Sequence, residues 1–303
     1  MKKSKAEIVS IAVRRTLAEM VKILEEETKK GGDLFVLPEA CLIYDADVTL
    51  EAMEAEAVAA VSAIARHAGV YICLPINRKG GSTGLLNSSF LFDRSGKTIG
   101  IYDKIYPFWE EFKVSYTPWN VPTAPGKDVC VVETDFGKVG MAICFDANFP
   151  SVFKRMAEAG VELVLWSSAY SGGMSLQAHA INHNIAIITS TWDPHCTVFD
   201  ITGREILHRQ GEVGIPLVTR HVLDFDRTIF HDNYNGEKRD RLLADHGDAV
   251  EMDCTFPREG WFTLRSTKDG VSVRALAAEY GMETLQSYKL RSEREIDAMR
   301  ARA

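Results

Sequence analysis

The residue of this chain best placed to act as a nucleophile is Cys144. It closes the apolar run Gly140-Met141-Ala142-Ile143 and precedes Phe145-Asp146-Ala147-Asn148-Phe149-Pro150, so a strand delivers a thiol to a turn that opens a helix. Backbone N–H groups at such a turn can stabilise a thiolate and an oxyanion developing beside it. A free thiol titrates at about 8.5, so attack on an electrophilic carbon at neutral pH calls for a base or a cation nearby. Glu39, in Leu37-Pro38-Glu39-Ala40, follows the apolar run 34–37, and Lys104, in Tyr102-Asp103-Lys104-Ile105, ends a hairpin strand. Taken singly, each is an ordinary surface charge, and a lone cysteine is more often a buried structural thiol. All three follow a strand, and strand ends are where α/β sheets gather their working groups.

The elements that must position them follow from hydrophobic periodicity. Residues 8–13 read as a first strand, and Leu17, Met20, Val21 and Leu24 then mark one face of a helix that Gly31-Gly32 can end. The run 34–37 is continuous and apolar, as in a strand buried on both faces, and Pro38 stops it. Leu50, Met53, Ala57, Val61, Ile64 and Ala68 give a second helix closed by Gly69, and 70–76 the next strand. This β-α-β-α-β order predicts an α/β sheet with helices packed on it. Three hairpins follow, at 87–92 with 98–102, 129–133 with 139–143, and 195–200 with 205–208. Helices around 151–159 and 176–182 alternate with strands at 162–166 and 185–190, so the sheets are mixed. No linker interrupts the pattern, and residues 1–303 are expected to form a single domain. From about 225 onward the periodicity weakens into a less regular C-terminal extension. There, residues 224–241 are polar with a turn signal at Asn235-Gly236, and 279–303 form a charged helix.

Composition narrows the function. With 35 Lys and Arg against 42 Asp and Glu, the formal charge is −7, which gives no global attraction to nucleic acid or anionic lipid. The 46% hydrophobic and 25% charged residues are ordinary globular usage. Six cysteines without any C-x-x-C pair exclude a disulfide scaffold, a zinc ribbon and a thioredoxin motif. The apolar stretch at 8–13 is too short for a signal peptide, and no run spans a membrane, so a cytoplasmic protein is expected. His179 and His183 have zinc-binding spacing, but Ala180 stands where a metalloprotease needs Glu, so they read as structural. Trp192-Asp193-Pro194-His195-Cys196 reads as a loop entering a hairpin, and Gly80-Gly81-Ser82-Thr83-Gly84 lacks the ending of a phosphate loop. Neither a metal nor a nucleotide cofactor is called for.

Glu39, Lys104 and Cys144, in this order and with these flanks, resemble the nitrilase superfamily of carbon–nitrogen hydrolases. The resemblance covers roughly residues 8–225 and is carried by LPEA at 37–40, YDKIYPFWEEF at 102–112 and GKVGMAICFDANFP at 137–150. It implies a four-layer αββα sandwich with two mixed β-sheets, homodimers or larger homo-oligomers, and a small-molecule amide substrate. Glu39 would be the base, Lys104 and the Phe145 N–H the oxyanion donors, and Cys144 the nucleophile that passes through a thioester and releases ammonia or an amine. The family also uses a second glutamate. Members often carry it just before a Pro-Gly pair, but here Ala124 precedes Pro125-Gly126; Glu111 is chosen over Glu110 for its spacing from Lys104. An N-carbamoyl amino acid amidohydrolase, a true nitrilase and a non-catalytic metabolite-binding member are the alternatives. True nitrilases usually carry Trp-Glu after the cysteine, where this chain has Phe145-Asp146. Carbamoylases tend to carry an arginine where Asn148 stands, so a small uncharged or weakly polar carboxamide is expected, with Arg204 or Arg220 as the fallback cation for a carboxylate. Trp109, Tyr116, Trp119, Tyr170 and Trp192 are candidates for an aromatic pocket wall.

Overall fold

Strict alternation along short apolar strands sets the architecture, because successive side chains point to opposite faces of a sheet. The protein is described by a computed structural model covering residues 3–44, 47–113 and 117–302. It divides into two compact units, residues 6–223, and 224–303 together with 1–5.

The larger unit runs β1 (Lys5–Ala12), α1 (Leu17–Thr28), β2 (Leu34–Val36), α2 (Leu50–Ala68), β3 (Tyr71–Gly80), β4 (Gly84–Phe92), β5 (Thr98–Asp103) and α3 (Trp109–Lys113). It continues with β6 (Val131–Glu133), β7 (Lys138–Ile143), a 3-10 turn (Cys144–Asn148), α4 (Pro150–Glu158), β8 (Leu163–Ser168), α5 (Met174–His183), β9 (Ala186–Thr191), β10 (His195–Phe199), β11 (Glu205–Gln210) and β12 (Leu217–Asp224). Two six-stranded sheets result, ordered β12-β1-β2-β3-β4-β5 and β11-β10-β9-β8-β7-β6. In the first, β1, β2 and β3 are parallel and β4 and β5 antiparallel; in the second, β7, β8 and β9 are parallel and β6 and β10 antiparallel. Both sheets are therefore mixed, as the sequence predicts.

Each sheet buries one face under helices and the other against its partner. Val9, Ile11, Phe35, Leu37, Ile72 and Leu74 pack on Met20 and Leu24 of α1 and Met53, Ala57 and Val61 of α2. Ala142, Val164, Trp166 and Ile187 pack on Phe153 and Met156 of α4 and Leu176 and Ala180 of α5. On the opposite face, hydroxyls join one sheet to the backbone of the other: Ser10 Oγ donates to Thr189 O (2.7 Å), Ser190 Oγ to Ile11 O (3.0 Å) and Ser167 Oγ to Leu37 O (2.7 Å). The order of layers is helix, sheet, sheet, helix. α2 stops at Gly69 as expected, whereas α1 ends at Thr28, capped by Lys29, before Gly31-Gly32. Thr16 and Glu19 form a capping box on α1, Thr49 caps α2, and Gly69 closes α2 in the left-handed region (φ 65°).

The second unit is more regular than the sequence pattern indicates. Residues from 224 onward hold β13 (Thr228–His231), α6 (Asp232–His246), β14 (Val250–Phe256), β15 (Trp261–Ser266), α7 (Val273–Glu279) and α8 (Leu285–Arg300). Its sheet runs β13-β15-β14, antiparallel throughout, and its core is Phe230, Leu242, Val250, Phe262, Leu264 and Val273. The expected turn at Asn235-Gly236 lies inside α6. The buried Asn235 amide accounts for this, because Nδ2 donates to His231 O and Glu283 O while Oδ1 accepts from Glu283 N. Tertiary hydrogen bonds override a local turn preference.

The exit of β5 is the tightest passage of the larger unit. Gly126 N donates to Lys104 O (2.8 Å), and a Cβ on Gly126 would lie 2.1 Å from Asp103 O. Backbone cannot yield as a flexible side chain would. Gly126→Ala is therefore expected to lower stability by about 1–3 kcal/mol in chemical denaturation; an unchanged midpoint would show that the β5 exit is not held this way.

Candidate active site

The cysteine end of the site is an elbow. Cys144 leaves β7 with φ 48°, a left-handed conformation disfavoured for any residue with a Cβ. Surrounding bonds hold it. Trp166 Nε1 donates to Cys144 O (3.2 Å), and Ile143 N donates to Asp146 Oδ2 (2.9 Å). Asp146 also accepts from Tyr102 Oη (2.7 Å) and Tyr106 N (2.9 Å), the residues on either side of Lys104. One buried carboxyl thus fixes the cysteine elbow to the lysine segment, and burial raises its pKa to about 6.

The carboxylate end is a turn of similar strain. Glu39 follows β2, and Ala40 after it has φ 38°. Trp192 Nε1 donates to Glu39 O, Arg14 Nε to Ala40 O (2.9 Å) and Arg14 Nη2 to Leu42 O (3.2 Å), with the guanidinium 4.2 Å from the Trp192 ring centre. Ser167 anchors Leu37, two residues before Glu39.

Between these ends lies a closed charge cluster. Lys104 Nζ donates to Glu39 Oε1 (2.7 Å) and to Glu111 Oε2 (2.6 Å), and its side chain has no exposed surface. Asn87 Nδ2 donates to Glu39 Oε1 (2.8 Å) and Glu111 Oε1 (3.1 Å). Ala169 N donates to Glu39 Oε2 (2.9 Å), and Phe108 N to Glu111 Oε2 (2.8 Å). Burial alone would pull the Lys104 pKa down, but the neighbouring carboxylates of Glu39 and Glu111 outweigh it and hold the ammonium protonated. Cys144 is pushed up to about 12 by burial and by the Glu39 charge, against Lys104 and hydrogen bonds from Ser168 and Ala169. The resting sulfur is therefore a thiol.

The structure brings Glu39, Lys104, Glu111 and Cys144 together. Of the two neighbouring glutamates, Glu111 reaches Lys104, while Glu110 Oε2 is buried without a hydrogen-bond partner. The Phe145 N–H lies in the first turn after Cys144, where a helical amide has no acceptor within its own turn. The Phe145 ring meets Phe108 and Phe149 edge-on (5.5 and 5.4 Å), with Phe149 stacked on Tyr106. Tyr170 stands edge-on to Trp166, and its hydroxyl environment feels the charges of Cys144 and Glu39. Asn148 donates to Phe145 O (3.2 Å) and hydrogen-bonds Tyr170.

The remaining candidates are placed as follows. Trp109 is 63% exposed and packs with Phe112 and Lys113 at the start of α3. Trp119 packs on Tyr44 and donates to Val48 O, so it lies under the loops. Arg220 is held by Glu7, Glu27 and Gly31 O. His179 stacks on Phe153 and its Nε2 donates to Ala147 O, consistent with a structural role. Among the described residues, no group of three or more His, Cys, Asp or Glu is arranged around a metal position. Tyr116 lies outside the described residues. The sequence reading passed over Asn87, Arg14 and the Ala169 amide. Asn87 alone leaves a sequence signal, a carboxamide inside the apolar stretch Gly84–Phe92.

Comparison with known proteins adds to this geometry. The sequence profile of the carbon-nitrogen hydrolase family matches residues 5–192. The deaminated glutathione amidase of Yersinia enterocolitica is 28% identical over 142 residues, 43% of this chain and 50% of its own length. A nitrilase of Pyrococcus abyssi is 30% identical over 154 residues, 47% of this chain and 54% of its own. The chain thus spans about half the length of these relatives. Among solved structures, a double mutant of the amidase from Nesterenkonia sp. AN1 in complex with acrylamide superposes with a TM-score of 0.64 at 19% identity, covering 81% of this chain and 98% of that one. Saccharomyces cerevisiae Nit3, of branch 10 of the nitrilase superfamily, gives 0.60 at 20% identity, covering 74% and 91%. At such identities the likeness is one of fold.

A neutral resting thiol has a direct readout. Alkylation of Cys144 by iodoacetamide, followed by peptide mass spectrometry, is expected to accelerate about tenfold per pH unit from roughly pH 7 to 9 without a plateau, because only the thiolate reacts. A plateau below about pH 8 would instead reveal a preformed ion pair.

Proposed function

The chain belongs to the carbon–nitrogen hydrolase family, and from that premise we propose that it hydrolyses the C–N bond of a small, uncharged or weakly polar carboxamide through a thioester on Cys144. The observation that carries this is the buried Lys104 ammonium shared by Glu39 (2.7 Å) and Glu111 (2.6 Å) beside the thiol.

The roles follow from what each atom has left to give. Glu39 Oε1 already accepts from Lys104 and Asn87, whereas Oε2 accepts from Ala169 N alone. Oε2 is thus the oxygen that takes the Cys144 proton as sulfur attacks the amide carbon. Lys104 gives two of its three N–H donors to the glutamates, and the third, with the Phe145 N–H, receives the oxyanion. Collapse of the tetrahedral species breaks the C–N bond, and Glu39 returns its proton to the departing nitrogen. Glu39 then takes a proton from water, whose oxygen attacks the thioester carbon; the C–S bond breaks and the sulfur is reprotonated. Glu111 keeps the ammonium in place throughout. Supporting a neutral acyl group, Asn148 carries no charge, Arg220 is committed to Glu7 and Glu27, and Arg14 to the Ala40 and Leu42 carbonyls. The aromatic group of Phe108, Phe145 and Phe149 supplies an apolar neighbour. The same reading carries assembly into homodimers or larger homo-oligomers, which light scattering on the purified chain reads directly.

The test is intact mass spectrometry and ammonia release over a panel of amides, nitriles and N-carbamoyl amino acids. An acyl adduct on Cys144 with ammonia from neutral amides is expected. Cys144→Ala and Glu39→Gln are each expected to lose several powers of ten in kcat while remaining folded. More than about 1% residual turnover in Cys144→Ala would end the covalent reading. On matched pairs, a preference of roughly tenfold or more, about 1.4 kcal/mol, for a free α-carboxylate over its neutral analogue would overturn the neutral-substrate assignment.

A further inference from the structure

The charge cluster contains one side chain that carries no charge and that the proposed reaction does not yet use. Asn87 sits within β4 and is 3% exposed. Its single amide nitrogen donates to both glutamates at once, 2.8 Å to Glu39 Oε1 and 3.1 Å to Glu111 Oε1. Its carbonyl oxygen accepts from Lys104 N (2.8 Å), so the backbone of the same residue also fixes the start of the lysine segment. The other side-chain atom, Oδ1, is buried without a hydrogen-bond partner. The amide cannot be turned to relieve it, because Oδ1 would then face two carboxylate oxygens.

Asn87 opens the buried polar run Asn87-Ser88-Ser89, set between apolar Leu85-Leu86 and Phe90-Leu91-Phe92, and asparagine is a poor strand former. An orphaned buried oxygen adds to that cost. What Asn87 does supply is spacing. Each carboxylate has one backbone donor of its own, Ala169 N on Glu39 and Phe108 N on Glu111, but only the flexible Lys104 ammonium otherwise ties the two to each other. A second, rigid donor bonded to both closes a ring of Glu39, Lys104, Glu111 and Asn87, and leaves Glu39 Oε2 as the oxygen with room to accept a proton.

We propose that Asn87 is a positioning residue, which holds the Glu39 and Glu111 carboxylates in register with Lys104 and turns Glu39 Oε2 toward its proton-transfer partner. This rests on the reading of Glu39 as the base and Cys144 as the nucleophile. The role belongs to the two N–H donors rather than to the volume of the side chain, and that difference is measurable.

Asn87→Asp keeps the size and removes the donor pair; Asn87→Ala removes both. In the purified full chain, with a neutral amide that the parent hydrolyses, each is expected to lower kcat on the order of a hundredfold while KM moves by less than about threefold, as misplacement of a reacting group does. The isosteric Asn87→Asp is expected to lose at least as much as Asn87→Ala, whereas a space-filling role would spare it. Near-UV circular dichroism and thermal melting establish that each variant is folded. A kcat for Asn87→Asp within about threefold of the parent, a loss confined to KM, or failure of both variants to fold would each overturn the proposal. Glu39→Gln and Cys144→Ala run alongside. If these two still turn over, the catalytic reading itself falls; if they are inert while the Asn87 variants behave as the parent, only the role of Asn87 falls.

Discussion

Lys104 carries its ammonium with no exposed side-chain surface, and most of the site can be read as the compensation this demands. An isolated cation at such a position would lose its proton or unfold the protein. Two carboxylates keep it charged, since a buried ion left without any partner costs about 3–5 kcal/mol. The partners come from distant parts of the chain: Glu39 after β2, Glu111 in α3, and Asn87 in β4. No local segment can assemble this group, so the charged cluster forms only when the first sheet is complete.

The same electrostatics governs the sulfur. Two carboxylates and one ammonium leave the cluster with an excess of negative charge, and a thiolate would add to it in a buried place. Burial and the Glu39 charge accordingly push the Cys144 thiol up, while Lys104 opposes them. Backbone strain falls at the same site. Ala40 and Cys144 both have positive φ; Trp192 and Arg14 bond the turn at Ala40, and Trp166 and Asp146 bond the turn at Cys144. Strain of this kind persists only where the surroundings over-determine it.

These features were not equally visible in the sequence. The strands and helices of residues 6–223 were legible because burial on one or two faces imposes a period that survives in the residue order, and caps such as Thr49 and Gly69 are local chemistry. Glu39, Lys104 and Cys144 each stand at a strand end, and it was their order and flanking motifs, matched to a known family, that made them visible. Asn87 was not singled out, since its hydrogen bonds to Glu39 and Glu111 are made across the fold and leave no motif. α6 was missed for a related reason: of its residues only Asn235 and Leu242 are buried, so it has almost no apolar stripe, and it is held by hydrogen bonds to Glu283. The three-stranded sheet beyond 224 has alternating, half-exposed strands such as Val250–Phe256, whose weak pattern was read as irregular.

The site is also divided between the two sheets. Glu39 and Lys104 extend from the first, and Cys144 and Ala169 from the second. A shift of one sheet over the other would separate the Glu39 carboxylate from the Cys144 thiol while leaving every strand intact. Apolar packing alone is a weak guard against sliding, because it is non-directional. The interface between the sheets instead carries Ser10, Ser167 and Ser190, each donating a hydroxyl to a backbone carbonyl of the opposite sheet. Directional bonds resist displacement along the strands, and small side chains let the backbones approach closely enough to form them. One of the three, Ser167 to Leu37, lies two residues from both Ala169 and Glu39, which are themselves joined by a hydrogen bond across the same gap. The serines that look incidental in these apolar strands are thus part of what fixes the distance between carboxylate and thiol.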